Sequence, residues 1–262
     1  MSPARSFEAR HTLNTLSMER FRVLGLLLVL AQLVVITLSP APAAAQQSDF
    51  NSTLNAPLNA ADYPVPAGFS GVHFYLITVD VGKNVWDNFG HTALRMYDES
   101  SNTDLIFNWG VFDVSGGVVA FSYNFFKGIM PYRLATNLPG REFDMYRAQG
   151  RTVWQDRINL TNPQRETLYR RLMWNSEPEN LEYDYQYFFD NCTTRVRDYI
   201  DEALGGSVFE NNQGETDRTF RDLVRSHYAS VALIAFSLDV LMNSNIDRPV
   251  SEWEEMFLPL SL

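Results

Sequence analysis

Cys192 is the single cysteine of this 262-residue chain, and its setting is the sharpest chemical feature of the sequence. It stands in Phe188-Phe189-Asp190-Asn191-Cys192-Thr193-Thr194-Arg195, where Asp190-Asn191 reads as a helix cap. The thiol therefore falls in the first turn of a predicted helix. Free backbone N–H groups and the positive end of the helix dipole stabilise a thiolate there. The same N–H groups can hold a developing oxyanion. A cysteine used only for packing gains nothing from that position and sits more naturally on an apolar face. The cysteine alone leaves both readings open.

A thiol nucleophile needs a base, and beyond the N-terminal leader the histidines are His73, His91 and His227. His73 lies inside an apolar strand and reads as structural; His227 follows a polar helix and reads as surface. His91 sits in FGHTALR, on a rigid strand, where Gly90 is expected to leave room beside the ring. A half-buried histidine bonded to the backbone is the plainer alternative. A base also needs an orienter that fixes its tautomer. Asn108, on the strand returning from the His91 strand, is within cross-strand reach; Asp113 is the fallback.

Four further positions are candidates for substrate contact. Arg95 shares a strand face with His91, and Arg195 lies on the nucleophile's side of its helix, so either can meet an anionic head group or form a surface ion pair. Tyr187, within the aromatic run Tyr183, Tyr185, Tyr187, Phe188, Phe189, is either core or part of a greasy wall for an acyl chain. Asn191 adjoins the thiol directly.

Several function classes are disfavoured. The formal charge of -10 and the lack of a basic stripe argue against nucleic acid. One cysteine with dispersed histidines gives no zinc spacing, and Asp80, Asp87 and Asp98 lack that of a calcium loop. No glycine loop for phosphate appears, so no cofactor or metal is expected.

The elements that must position Cys192 and His91 are strands first and helices later, an α+β order in one domain over 69–262. VHFYLITVDVG from Val72 reads as a buried strand, and Phe89–Tyr97 and Leu105–Phe112 as a hairpin about the polar turn Asp98–Asp104. Gly116–Met130 is ambiguous between helix and strand. Tyr132–Leu134, Glu142–Tyr146 and Val153–Leu160 read as short strands. Thr161-Asn162-Pro163 opens a helix over Gln164–Trp174 with Leu168 and Leu172 on one face. A second runs from Cys192 to Leu204, closed by Gly205-Gly206, and a third over Thr216–Ser226.

Ahead of the domain, residues 46–68 form an Asn-, Ala- and Pro-rich linker or wrapping arm, and residues 1–45 have a signal-peptide layout. Arg20 and Arg22 precede the apolar stretch Val23–Leu38, and Ala43-Ala44-Ala45 offers a cleavage site before Gln46. An uncleaved membrane anchor is the alternative. No later stretch approaches the roughly 20 apolar residues of a spanning helix, so a soluble mature chain is expected. With no second cysteine, an exported chain must use or bury its thiol.

Taken together, VWDNFGHTALRMY, IFNWGVF, FFKGIMPYRL, YQYFFDNCTTRVRDYID and the closing DRPVSEWEEMFLPLSL resemble the Lnb N-terminal periplasmic domain family. The resemblance implies a circularly permuted papain-like (NlpC-type) domain, akin to lecithin:retinol acyltransferase folds. In such a domain helices pack on an antiparallel sheet, and a histidine on a strand precedes a cysteine at a helix N-terminus. It further implies a bacterial periplasmic enzyme that moves an acyl chain from a phospholipid to a lipoprotein amino terminus through a thioester. Cys192 would be the acylated nucleophile, His91 the general base and acid, and Asn108 the third member. The partners would be a phospholipid donor and a lipoprotein or peptide acceptor, at a membrane surface. A cysteine amidase or endopeptidase of the same fold is the rival, and a non-catalytic envelope binding module is a third reading.

Overall fold

A computed structural model describes residues 58, 60–83, 87–112, 131–228, 242 and 244–262. The signal layout, Asp113 and the ambiguous Gly116–Met130 stretch lie outside these. In chain order the elements are β1 (Val72–Val79), β2 (His91–Asp98), β3 (Thr103–Phe112), β4 (Pro131–Asn137), α1 (Pro139–Ala148), β5 (Val153–Arg157) and α2 (Asn162–Asn175). There follow β6 (Glu182–Asp184), α3 (Cys192–Ala203), α4 (Ser207–Asn211), β7 (Glu215–Thr219), α5 (Phe220–Tyr228), β8 (Pro249–Ser251) and α6 (Glu252–Glu255).

Strands β1 to β6 form one antiparallel sheet in the order β5-β1-β2-β3-β4-β6, and β7 pairs with β8. Both faces of the central strands are covered, which is why β1 reads as a nearly continuous apolar run. Phe74, Leu94, Met96, Leu105 and Phe107 pack against Leu168 and Leu172 of α2 and Val196, Tyr199 and Ile200 of α3. Ile77, Val79, Ala93 and Ile106 face the other way, onto Tyr146 of α1. The period of two along each strand thus sorts side chains between two helical layers. Leu58, Ala60 and Tyr63 join the larger core, and the Thr136 hydroxyl donates to the Leu58 carbonyl.

Thr161 caps α2 as expected and forms a capping box with Gln164, and the buried Leu168 and Leu172 form the helix's apolar face. Two expectations are corrected. Glu142–Tyr146 is helical, because Pro139, Glu142 and Tyr146 are its buried positions, a helical spacing that a five-residue window cannot distinguish from alternation. Residues 215–219 are strand β7, and the helix expected over Thr216–Ser226 starts at Phe220.

Candidate active site

The N-terminus of α3 is held by Asn191. Its Oδ1 accepts from the Thr193 and Thr194 amides at 2.8 and 2.9 Å, and the Thr194 hydroxyl accepts from the Asn191 amide at 2.7 Å. Its Nδ2 donates to the Tyr187 and Phe257 carbonyls, both at 3.0 Å. Every polar atom of this side chain is engaged within the fold. Cys192 follows as the first helical residue, its thiol half-buried. Because the cap takes the Thr193 and Thr194 amides, the Cys192 N–H is the first-turn donor left for an oxyanion.

His91 opens β2. Gly90 before it has φ +79°, and a Cβ there would lie 2.5 Å from the Val79 carbonyl oxygen, so its role is to turn the backbone into the strand. Asn108 pairs with Ala93, placing it diagonally from His91 on one sheet face, and His91 Nε2 donates to Asn108 Oδ1 at 3.0 Å. That bond leaves Nδ1 for the thiol, and Cys192 and His91 lie close enough for the charge of each to act on the other. The register of β3 shifts between Asn108 and Val111, and at Gly110 (φ +90°) a Cβ would touch the Cys192 Cβ at 3.7 Å. This bulge brings the start of α3 against the sheet beside Asn108.

Burial is the strongest influence on the Cys192 thiol and pushes it up. The His91 charge and hydrogen bond, the Thr92 backbone and the Thr193 hydroxyl outweigh it and bring the thiol down from 9.0 to about 7. Burial likewise pushes the His91 imidazole down, but the Cys192 charge and hydrogen bond, then Asn108 and Glu142, leave it raised. Each group favours the charged form of the other, as a thiolate–imidazolium pair requires. Thr193 Oγ1 lies 3.8 Å from Sγ and is fixed by Thr92 Oγ1 at 3.1 Å.

The four candidate contacts have separate settings. Arg195 is bidentate to Asp190 at 2.5 and 2.7 Å and lies over the Tyr183 ring. Arg95 is bidentate to Asp104 at 2.8 and 2.6 Å and borders a cleft of about 380 Å³ with Phe143, Arg147 and Arg151. Tyr187 belongs to a cluster with Phe89, Phe188 and Phe257. Other tyrosines flank the thiol: Tyr132 and Tyr185 stack at 4.2 Å, and these two with Tyr183 are raised first by burial and then by the Cys192 charge, so they stay neutral. Sequence reasoning missed Glu142, buried beside His91 on α1, because Glu142–Tyr146 reads as a short strand with nothing to bring it to His91. It also missed the Thr92–Thr193 pair, which carries no local signal.

The pair has a direct consequence for reactivity with pH. Protonation silences the thiol below its pKa, so iodoacetamide alkylation of Cys192 is expected to rise through an inflection at about 7. In unfolded protein the inflection should lie near 9. A folded-state inflection near 9 would show that no such pair forms.

Among the described residues, no helix is long and apolar enough to cross a membrane. No curated protein and no solved structure matches the chain significantly. The family model of the Lnb N-terminal periplasmic domain matches residues 69–226, more than half of the chain. The match takes in His91, Asn108 and Cys192 and ends before the closing segment. This chain belongs to the Lnb N-terminal periplasmic domain family, whose members are cell-envelope proteins with a periplasmic location.

Proposed function

We propose that this chain is an exported thiol acyltransferase that carries an acyl group as a thioester on Cys192, taken from a phospholipid and passed to a lipoprotein amino terminus. The observation that carries the reading is the placing of Cys192 at the start of a helix within the electrostatic influence of His91, itself bonded to Asn108 at 3.0 Å. On this reading the sheet and helices are a circularly permuted papain-like domain, with the histidine strand ahead of the cysteine helix. The periplasmic family supports the choice of donor and acceptor, since phospholipid and lipoprotein termini meet at the envelope membrane.

In the first half-reaction the Cys192 thiolate attacks the ester carbonyl carbon, and a C–S bond forms as the carbonyl pair moves to oxygen. The Cys192 N–H faces that oxyanion. On collapse the C–O bond breaks, and the His91 imidazolium gives its Nδ1 proton to the departing alkoxide. In the second, an amine nitrogen attacks the thioester and loses a proton to His91. The C–S bond then breaks, leaving an amide and the thiolate–imidazolium pair. Tyr132, Tyr183 and Tyr185 flank the thiol with aromatic surface suited to an acyl chain.

The test is intact mass spectrometry after incubation with phosphatidylethanolamine and phosphatidylglycerol vesicles. The expected product is a fatty-acyl adduct that neutral hydroxylamine removes and Cys192→Ala lacks. No adduct, with Cys192 still rapidly alkylated, would turn the reading to an amidase or endopeptidase acting on envelope peptides. A folded protein whose Cys192 neither acylates nor alkylates would leave a binding module.

A further inference from the structure

Beside the His91–Asn108 pair lies a buried carboxyl that the chemistry above does not use. Glu142, in the first turn of α1, is 1% exposed, and Asn137 Nδ2 donates to its Oε2 at 3.1 Å. Its Oε1, the Asn108 Nδ2 and the Tyr146 hydroxyl are all buried without a well-formed partner. Asn108 and Tyr146 nevertheless both stand within reach of the Glu142 carboxyl. The Tyr146 ring lies 6.4 Å from His91, and the Arg151 guanidinium lies 5.2 Å from that tyrosine ring. Burial keeps Tyr146 neutral, well above its ordinary range. Buried polar atoms in native proteins nearly always have partners, so three orphans around one histidine call for a functional account.

Burial pushes the Glu142 carboxyl up, and the His91 charge is the strongest influence opposing it. A carboxylate so deeply placed is strongly disfavoured unless a cation accompanies it, so Glu142 and His91 gain charge as partners. In the resting site the imidazolium already has the Cys192 thiolate as its counter-ion. Acylation removes that anion. What then remains to oppose burial at His91 is the Asn108 hydrogen bond and the Glu142 charge.

We infer that Glu142 serves the second half-reaction: it holds Asn108 and supplies the negative charge that keeps His91 a competent base once Cys192 is acylated. The inference rests on the acyl-enzyme reading above. It gives the chain His91 Nε2–H to Asn108 Oδ1, and Asn108 Nδ2–H toward Glu142, a direction: the carboxylate draws the amide, and the amide orients the imidazole. Glu142 is a positioning residue, since it acts through Asn108 and touches no reacting atom. When the amine adds to the thioester, its proton passes to His91 Nδ1 as the C–S bond breaks toward Cys192, and Glu142 balances the imidazolium throughout.

The two halves separate with p-nitrophenyl butyrate. Its acylation step releases p-nitrophenolate without needing a proton, whereas deacylation by added glycinamide needs the base. For Glu142→Gln we expect a burst rate within about threefold of wild type and glycinamide-dependent deacylation roughly 10- to 100-fold slower, so that acyl-enzyme accumulates. The pH limb of deacylation should move down, because loss of a nearby negative charge makes His91 less basic. A merely structural role would not shift that limb. Glu142→Asp, which keeps the charge, should restore most of the rate. Equal slowing of both phases, or slowing of neither, would overturn the inference. Should Glu142→Gln not fold, Glu142→Asp decides: deacylation within about fivefold of wild type upholds the inference, and a hundredfold loss overturns it. A wild-type protein that shows no burst, although Cys192 alkylates normally, would instead overturn the acyl-enzyme reading itself.

Discussion

His91→Ala is expected to slow acylation of Cys192 by phospholipid roughly 10³-fold, which approaches the complete loss expected of Cys192→Ala. Two effects combine. The charge and hydrogen bond of His91 are the largest influences bringing the thiol down to about 7 against burial. Without them burial dominates, and the alkylation inflection should move above the ordinary value of 9.0. At pH 7 the reactive fraction then falls from about one half to under ~1%, a loss on the order of 10²-fold. The remainder reflects the missing proton for the departing alkoxide. Because nucleophile and base act as one unit, the double variant should be no worse than Cys192→Ala alone. The measurements are single-turnover acylation and the alkylation rate from pH 5 to 10. An inflection that stays at about 7 in His91→Ala would mean that another group sets the thiol.

Asn191→Ala should be the most destabilising single change at the site, by about 3–5 kcal/mol. The side chain accepts from two α3 amides and donates to the Tyr187 and Phe257 carbonyls, and Asn191 is 6% exposed. Alanine would leave these groups buried without partners, a larger penalty than the ~1 kcal/mol of an exposed cap. In a domain of this size that corresponds to a fall in Tm of roughly 10–15 °C. Phe257 packs with Phe220 and Leu258, so the C-terminal segment should loosen along with the helix start. Asn191→Asp is the informative comparison: it keeps the acceptor for the Thr193 and Thr194 amides but loses both donations. Thermal unfolding of the three proteins checks this. A loss below about 1 kcal/mol in Asn191→Ala would show that the tie to Phe257 carries little stability.

Much of the frame was legible because its signals are local. A nearly continuous apolar run marked β1, and a polar turn between two β-rich segments marked β2 and β3; Thr161-Asn162-Pro163 marked α2; and Asp190-Asn191 before Cys192 marked α3. Those same signals put the histidine on a strand and the thiol at a helix start. Asn108 was within reach because a hairpin fixes which residues stand across from one another, although the diagonal pairing depended on the register Ala93 to Asn108.

What the sequence by itself determined, then, is the order of the elements, the type of most of them, and the places of His91 on a strand and Cys192 at a helix start, since caps, turns and periodicity are written within a few residues. Tertiary structure alone decided the rest. It gave Arg95 to Asp104 and Arg195 to Asp190 as ion-pair partners, and it separated Tyr185, beside the thiol, from Tyr187, in the Phe89 and Phe257 cluster. It also made Glu142–Tyr146 helical and turned Glu142 toward His91. These outcomes depend on strand register, on the β3 bulge and on which helix covers which sheet face. Each of those is set by the packing of segments far apart in the chain, where a local pattern of side chains carries no information about its partner.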